Sequence, residues 1–175
     1  MLPSERADAV AFCERLRPRL VGALSLYCGD PAVAEEQAQE TLVRVWENWH
    51  RVSEMQAPEV WAVRVGMNGL HGVFRRRAIE RRALARVAAL RSDTAVAAPA
   101  GEYDHVRGAV AGLPRRQRTA LVLRYYLDLS VSDTADVMGC AEGTVKSLTS
   151  NALGRLAHVL SSDGESTEEE REVPR

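Results

Sequence analysis

The chain has 175 residues, with 23 Lys and Arg against 24 Asp and Glu, a net charge of −1 and 46% hydrophobic residues. That length accommodates one domain or two small ones, with enough apolar material for real cores. Cys13, Cys28 and Cys140 show neither Cys-x-x-Cys nor Cys/His ligand spacing and imply no disulfide framework or zinc site, and no apolar run approaches the roughly 20 residues of a bilayer span.

With no signal peptide before residue 12, the expectation is a cytoplasmic protein with reduced, buried thiols. Phe12, Leu16, Leu20, Ala23, Leu24 and Tyr27 form one stripe of a first helix that Gly29-Asp30-Pro31 ends. Pro18 falls inside this stripe and is expected to kink the helix or split it. A second helix is expected from about Ala32 to Trp49. Val33, Gln37, Ala38, Thr41, Leu42, Val45, Trp46 and Trp49 share its inner face.

A loop from His50 to Ala57 follows. Pro58 and Glu59 then open a third helix carrying Val60, Val63, Met67, Leu70 and Phe74 at helical intervals. Its polar side offers Arg64, Asn68 and His71 and runs into Arg75, Arg76 and Arg77. Gly66, Gly69 and Gly72 each cost about 1 kcal/mol relative to alanine inside a helix. Close packing against a neighbouring helix or a nucleic-acid backbone would explain them, and so would a locally weak helix.

From Ser92 to Gly101 periodicity disappears, as in a flexible linker. A helix over about Tyr103 to Gly112 leads into LPRRQRTALVLRYYLDLSVSDTADVMGCAEGTVKS, from Leu113 to Ser147. Here Ala120, Leu123 and Leu127 predict a helix of roughly three turns after Pro114. Ser130 or Ser132 caps a short helix burying Val131, Ala135 and Met138, and Gly139 supplies a sharp turn. The following helix buries Val145, Ala152, Leu153 and Leu156 and turns Thr144, Lys146, Ser147, Ser150 and Asn151 outward. This is the order of a helix-turn-helix, whose outer face suits a major groove. A plain three-helix bundle would show the same hydrophobic spacing.

The near-zero charge hides segregation. Residues 64–91 hold eight arginines against Glu80, residues 30–59 seven acids against two arginines, and residues 161–175 six acids against two arginines. Separate patches of opposite sign imply different partners on different faces, the basic one suited to phosphate. No strand pattern competes with the helices, so the fold class is all-α. Catalysis is not expected, because His50, His71, His105 and His158 are scattered and no nucleophile-base pair or phosphate-cradling glycine loop stands out. The glycines of the third helix do not have the dinucleotide spacing.

Two stretches carry a family resemblance. LPRRQR with LVLRYYLDLSVSDTADVMGCAEGTVKS resembles region 4 of bacterial sigma factors. AEEQAQETLVRVWENW and PEVWAVRVGMNGLHGVFRRR resemble region 2.2 and regions 2.3 to 2.4 of the extracytoplasmic-function (ECF) group of the sigma-70 family, with an actinobacterial SigE-like look. Both halves stand in the family's order without a region 3.

The resemblance implies two small helical domains: region 2 over residues 8–88, a linker over 89–101, a region 4 helix-turn-helix over 102–160 and a disordered acidic tail over 161–175. It implies docking on the beta-prime clamp helices of core RNA polymerase through Glu36, Gln39, Glu40, Leu42, Val43, Arg44 and Trp46, with the beta flap as a further contact. It implies minus-10 recognition through Arg64, Asn68, Arg75, Arg76 and Arg77, with loop residues between His50 and Ala57 reading unstacked bases. Trp61 can stack on a base, although its place beside Val60 favours the core.

Minus-35 recognition falls to Thr144, Lys146, Ser147, Ser150 and Asn151, with Arg115 and Arg118 as backbone clamps. Leu148 and Asn151 stand where many relatives carry arginine, and Ala141 replaces a common serine cap, so this contact is expected to be weak. Promoter DNA and an anti-sigma factor are the remaining implied partners. No metal or cofactor is implied. The free protein is expected to be monomeric, to bind promoters poorly alone and to lie on the nucleoid when bound to polymerase. The alternative is a conventional helix-turn-helix regulator that binds an operator without polymerase, and it leaves the acidic-then-basic front half without a reason.

Overall fold

The structure, a computed structural model, describes residues 2–87 and 102–169. All regular elements among them are helical: α1 (Pro3–Cys28), α2 (Pro31–Glu47), α3 (Trp49–Val52), α4 (Pro58–Val87), α5 (Glu102–Gly112), α6 (Arg115–Leu121), a π-helical turn (Val122–Tyr126), α7 (Val131–Met138) and α8 (Glu142–Glu169).

The predicted stripe of α1 is buried in full, from Phe12 to Tyr27, with Ala9 added at its start. The helix neither splits nor ends at Pro18, which lies on its exposed side. There the carbonyl left unpaired by the missing N–H can turn to water. Gly29 closes α1 at φ 72°, its N–H donating to the Ser25 carbonyl at 2.8 Å. Asp30 caps α2 at once, its carboxylate accepting from the N–H groups of Ala32 and Val33 at 3.1 and 3.2 Å. Pro31 fills the first helical position, where its missing donor costs nothing.

The inner face of α2 is narrower than predicted. Val33, Ala34, Gln37, Ala38, Thr41 and Val45 are buried, whereas Leu42 is half-buried and Trp46 remains 37% exposed. Trp49 is buried, but on α3, because the chain leaves α2 at Asn48. There it packs against Phe12 with ring centroids 5.4 Å apart. The segment expected as a loop therefore begins with a helical turn.

Two glycines of α4 have a packing reason. A Cβ at Gly66 would sit 3.2 Å from Thr41 Oγ1 and 3.4 Å from Leu24, and one at Gly69 would collide with the Gln37 amide. The helix-propensity cost thus permits α4 to approach α2 and α1 closely. Gly72 faces open space, and nothing in the packing explains it.

In the second half, Ala120, Leu123 and Leu127 are buried as predicted. The expected three-turn helix is two turns that widen into the π-turn, with Leu127 N–H reaching the Val122 carbonyl at 3.1 Å. Asp128 then takes φ 56°. Ser130 caps α7, its hydroxyl accepting from the Asp133 N–H at 2.9 Å. Thr134 and Ala135 form the buried side of α7, while Val131 and Met138 are only half-buried. Gly139 makes the turn at φ 59°.

On α8, Val145 and Ala152 are buried and Leu156 half-buried, but Leu153 is 40% exposed. Positions 145, 149, 152 and 156 follow the 3.6-residue period, and 153 lies beyond the edge of that stripe. The α8 backbone continues through Glu169, into the segment expected as a tail. The expected linker over 89–101 and the last six residues lie outside the described residues.

The two halves are packed together. Val122, Leu123 and Leu127 share one core with Leu20, Leu24, Val45, Val63 and Leu70. A second, smaller core joins Val110, Leu113, Leu121 and Ala152. The cysteines are free and half-buried rather than fully buried.

Candidate docking and nucleic-acid interface

The outer face of α2 is acidic with an apolar strip. Glu36, Gln39, Glu40, Val43, Arg44 and Trp46 are all exposed, Val43 by 54% and Trp46 by 37%. Their spacing of three and four residues places them on one side of the helix. Glu40 and Arg44, one turn apart, pair at 2.6 Å. Leu42 turns toward the core and packs against it, which removes it from this surface.

The polar side of α4 carries Arg64, Asn68, Arg75, Arg76 and Arg77, all exposed. Arg77 lies 3.5 Å from the Asp30 carboxylate. Arg64 reaches across to the second half and donates to the Asp136 carbonyl on α7. Trp61 is half-buried against the core. In the 50–57 segment, Val52 is buried and Met55 half-buried, leaving His50, Arg51, Ser53, Glu54, Gln56 and Ala57 outside.

On α8, Lys146, Ser147, Ser150 and Asn151 are exposed and Thr144 is half-buried. The Ser147 hydroxyl donates back to the Thr144 carbonyl at 2.9 Å, within the helix. A cleft of 450 Å³ continues this face and is lined by Gln117, Ser150, Asn151, Gly154, Arg155 and His158. Arg155 lies one turn beyond Asn151 and adds a guanidinium to this face that the expected contact residues do not include, although its i+4 spacing from Asn151 is visible in the sequence.

Arg115 and Arg118 do not point away from the protein as free clamps. Arg115 lies over the rings of Tyr27 and Phe74, 5.4 and 4.7 Å from their centroids, and its Nε donates to the Tyr27 hydroxyl. Arg118 donates to the Tyr27 carbonyl at 2.9 Å and to the carbonyl of Ala111. Burial pushes the Tyr27 phenol up, opposed by its bond to Arg115. His71 stands edge-on to Tyr27 at 6.0 Å, and burial, then the Arg115 charge, hold its imidazole below the ordinary 6.5.

The arrangement offers charged and apolar surfaces for macromolecules. Among the described residues, no three His, Cys, Asp or Glu side chains converge as metal ligands, and no helix is long and apolar enough to cross a membrane.

The family described as sigma-70 region 2 matches residues 12–79, and the family described as sigma-70, region 4 matches residues 104–156. The chain is 31% identical over 163 residues to the ECF RNA polymerase sigma factor EcfG of Rhodopseudomonas palustris, covering 92% of this chain and 87% of that one. It is 29% identical over 158 residues to the RNA polymerase sigma-E factor of Streptomyces antibioticus, covering 89% and 87%. In fold it resembles the sigma factor RpoE of Bartonella quintana, solved with the anti-sigma factor NepR, at a TM-score of 0.74 with 24% identity, covering 89% of this chain and 98% of that one. It also resembles CnrH, solved with the cytosolic domain of CnrY, at a TM-score of 0.63 with 20% identity and 90% of both chains covered.

Proposed function

The chain belongs to the ECF RNA polymerase sigma factors, and from that premise we propose which of its surfaces carry out promoter-directed initiation. It is a sigma factor of transcription initiation, and an operator-binding regulator is not favoured. We assign residues 8–88 to polymerase and minus-10 binding and residues 102–160 to minus-35 binding.

The observation that carries this reading is the outer face of α2. Val43 and Trp46 are left uncovered between Glu36, Gln39, Glu40 and Arg44. An apolar strip rimmed by charge is a protein-docking surface, and its carboxylates suit an arginine-bearing coiled coil such as the beta-prime clamp helices. Behind it, Arg64, Asn68 and Arg75 to Arg77 on α4 face the melted minus-10 strand, where guanidinium groups hold phosphates and supply salt-dependent affinity. Thr144, Lys146, Ser147, Ser150 and Asn151 enter the minus-35 major groove. Arg115 and Arg118 contact backbone once they are released from Tyr27.

Each DNA contact is modest, and tethering on polymerase raises the effective concentration of one site once the other is engaged. The protein acts in the cytoplasm without a cofactor, as a non-enzymatic subunit, is monomeric when free, and is held in check by an anti-sigma partner.

The test is binding of the purified chain to sigma-free core RNA polymerase, compared with a Gln39→Ala, Glu40→Ala, Arg44→Ala variant. All three side chains are exposed, so the variant should fold. Tight binding by the native chain, lost in the folded variant, is the expected result. Equal binding by both would remove α2 from the interface. Specific duplex affinity without any polymerase affinity would overturn the assignment as a whole.

A further inference from the structure

Two of the residues lining the 450 Å³ cleft at the end of the outer α8 face, Arg155 and Gln117, have no part in the contacts assigned above. Gln117 lines the cleft from α6, and Asn151, Gly154 and Arg155 line it from α8. Between Glu142 and Leu160, α8 carries its permanent positive charge on Lys146 and Arg155. Arg155 is exposed, and among the described residues it has neither an ion pair nor a hydrogen bond. Across the cleft, Gln117 Oε1 is buried without a donor. A guanidinium has five N–H donors, enough to serve that oxygen and to grip a phosphate with a parallel pair.

Position along α8 separates this arginine from the base-reading residues. Thr144, Ser147, Asn151 and Arg155 recur at intervals of three and four and so share one side of the helix. At 1.5 Å per residue Arg155 lies about 16 Å beyond Thr144. A recognition helix meets base edges with its N-terminal residues, in a groove about 8.5 Å deep and 12 Å wide. Thr144 and Lys146 can reach those edges, whereas Arg155 arrives at the wall of the groove, where the phosphates are.

Gly154 fits the same reading. Glycine is unfavourable inside a helix, and an added Cβ here meets nothing within 4 Å, so no packing within the protein requires it. A bare backbone beside Arg155 instead leaves the cleft open to a second backbone.

We propose that Arg155 and Gln117, lining this cleft from α8 and α6, clamp one phosphate of the minus-35 backbone and so position α8 in the groove without reading a base. Gly154 keeps the clamp open. The inference rests on the assignment of α8 to the minus-35 element.

The test uses holoenzyme, the chain assembled with core polymerase, and a duplex that native holoenzyme selects from a random-sequence pool. Arg155→Ala should bind that duplex at least about threefold more weakly, and its plot of log K against log salt should be shallower by about 0.9, the share of one phosphate. Arg155→Lys keeps the charge and should recover the slope. Gly154→Leu, a better helix former that fills the cleft, should weaken binding at undiminished helix content. Neutral methylphosphonates, placed one at a time through the minus-35 element, should reveal one position that weakens native holoenzyme and leaves Arg155→Ala no weaker than before. Selection repeated with Arg155→Ala holoenzyme should return the same minus-35 sequence, because a phosphate contact carries no sequence information.

Full affinity in Arg155→Ala or in Gly154→Leu would overturn the clamp, and so would a changed selected sequence, which would make Arg155 a base reader. Lys146→Ala separates the two levels of the argument. If it weakens binding while Arg155→Ala does not, the clamp falls and α8 remains the minus-35 helix. If neither substitution matters, both fall.

Discussion

Asp30 does two things that substitution can separate. Its carboxylate caps α2 through Ala32 and Val33 N–H at 3.1 and 3.2 Å, and it pairs with Arg77 at 3.5 Å. Replacing an aspartate cap by alanine costs about 1 kcal/mol, within a range of about 0.5 to 2. The ion pair is a smaller matter: both side chains are more than two-fifths exposed, 47% for Arg77 and 41% for Asp30, and solvent reduces such pairs to roughly 0–0.5 kcal/mol. Asparagine keeps an oxygen for the cap and drops the charge. Asp30→Asn should therefore lie within about 0.5 kcal/mol of the native chain and Asp30→Ala about 1 kcal/mol below it, a shift of about 2–4 °C in Tm at this chain length. Urea denaturation followed by circular dichroism, at low salt and at 0.5 M salt, measures both. The Asn variant's small deficit, and an equal part of the Ala variant's, should fade with salt, leaving the cap's share of about 1 kcal/mol in Ala. If Asn were as destabilising as Ala and both recovered in salt, the ion pair would be the main contribution and the capping argument would be wrong.

Further outcomes follow from other sites. His71 titrates below the ordinary 6.5 because of burial first and Arg115 second, so its imidazole resonance should titrate higher in Arg115→Ala, yet still below 6.5. A depressed folded pKa means the unfolded chain takes up the proton first, so stability falls as pH drops below about 6.5 and levels off once the folded imidazole is charged. That slope should be shallower in the variant, and an unmoved resonance would separate His71 from the Arg115 charge. Gly139→Ala forces a Cβ into a left-handed turn at φ 59°, at a cost of about 1–2 kcal/mol. An unchanged Tm would show that the turn can relax.

Local periodicity made most of the helices legible. The α1 stripe, the Asp30-Pro31 start, the Pro58 start and the Gly139 turn are written in residues a few positions apart. The misses have physical causes. The extent of α1 through Pro18 depends on which side of the helix faces water, which is decided by α2 and α4. Val137 and Met138 pack against the core shared with the first half, which no spacing within α7 indicates. The glycines of α4 became intelligible only opposite Gln37 and Thr41. The Arg115 and Arg118 contacts to Tyr27 span 88 and 91 residues, and no local pattern encodes a partner that far away. Residue type marks these arginines as suited to phosphate, whereas their engagement with Tyr27 is visible only in the folded chain.

The fit of α4 against α2 has a mechanical consequence. Gly66 and Gly69 let backbone meet the buried side chains of Thr41 and Gln37, leaving no layer of long, soft residues between the two helices. On the proposed assignment, the side of α2 that meets polymerase and the side of α4 that meets DNA are the two outer surfaces of one closely packed pair of helices. On that assignment, a displacement of Val43 or Trp46 by a partner would be passed to Arg64 and Asn68 through this close contact, and the position of polymerase on one side would bear on the placement of DNA on the other.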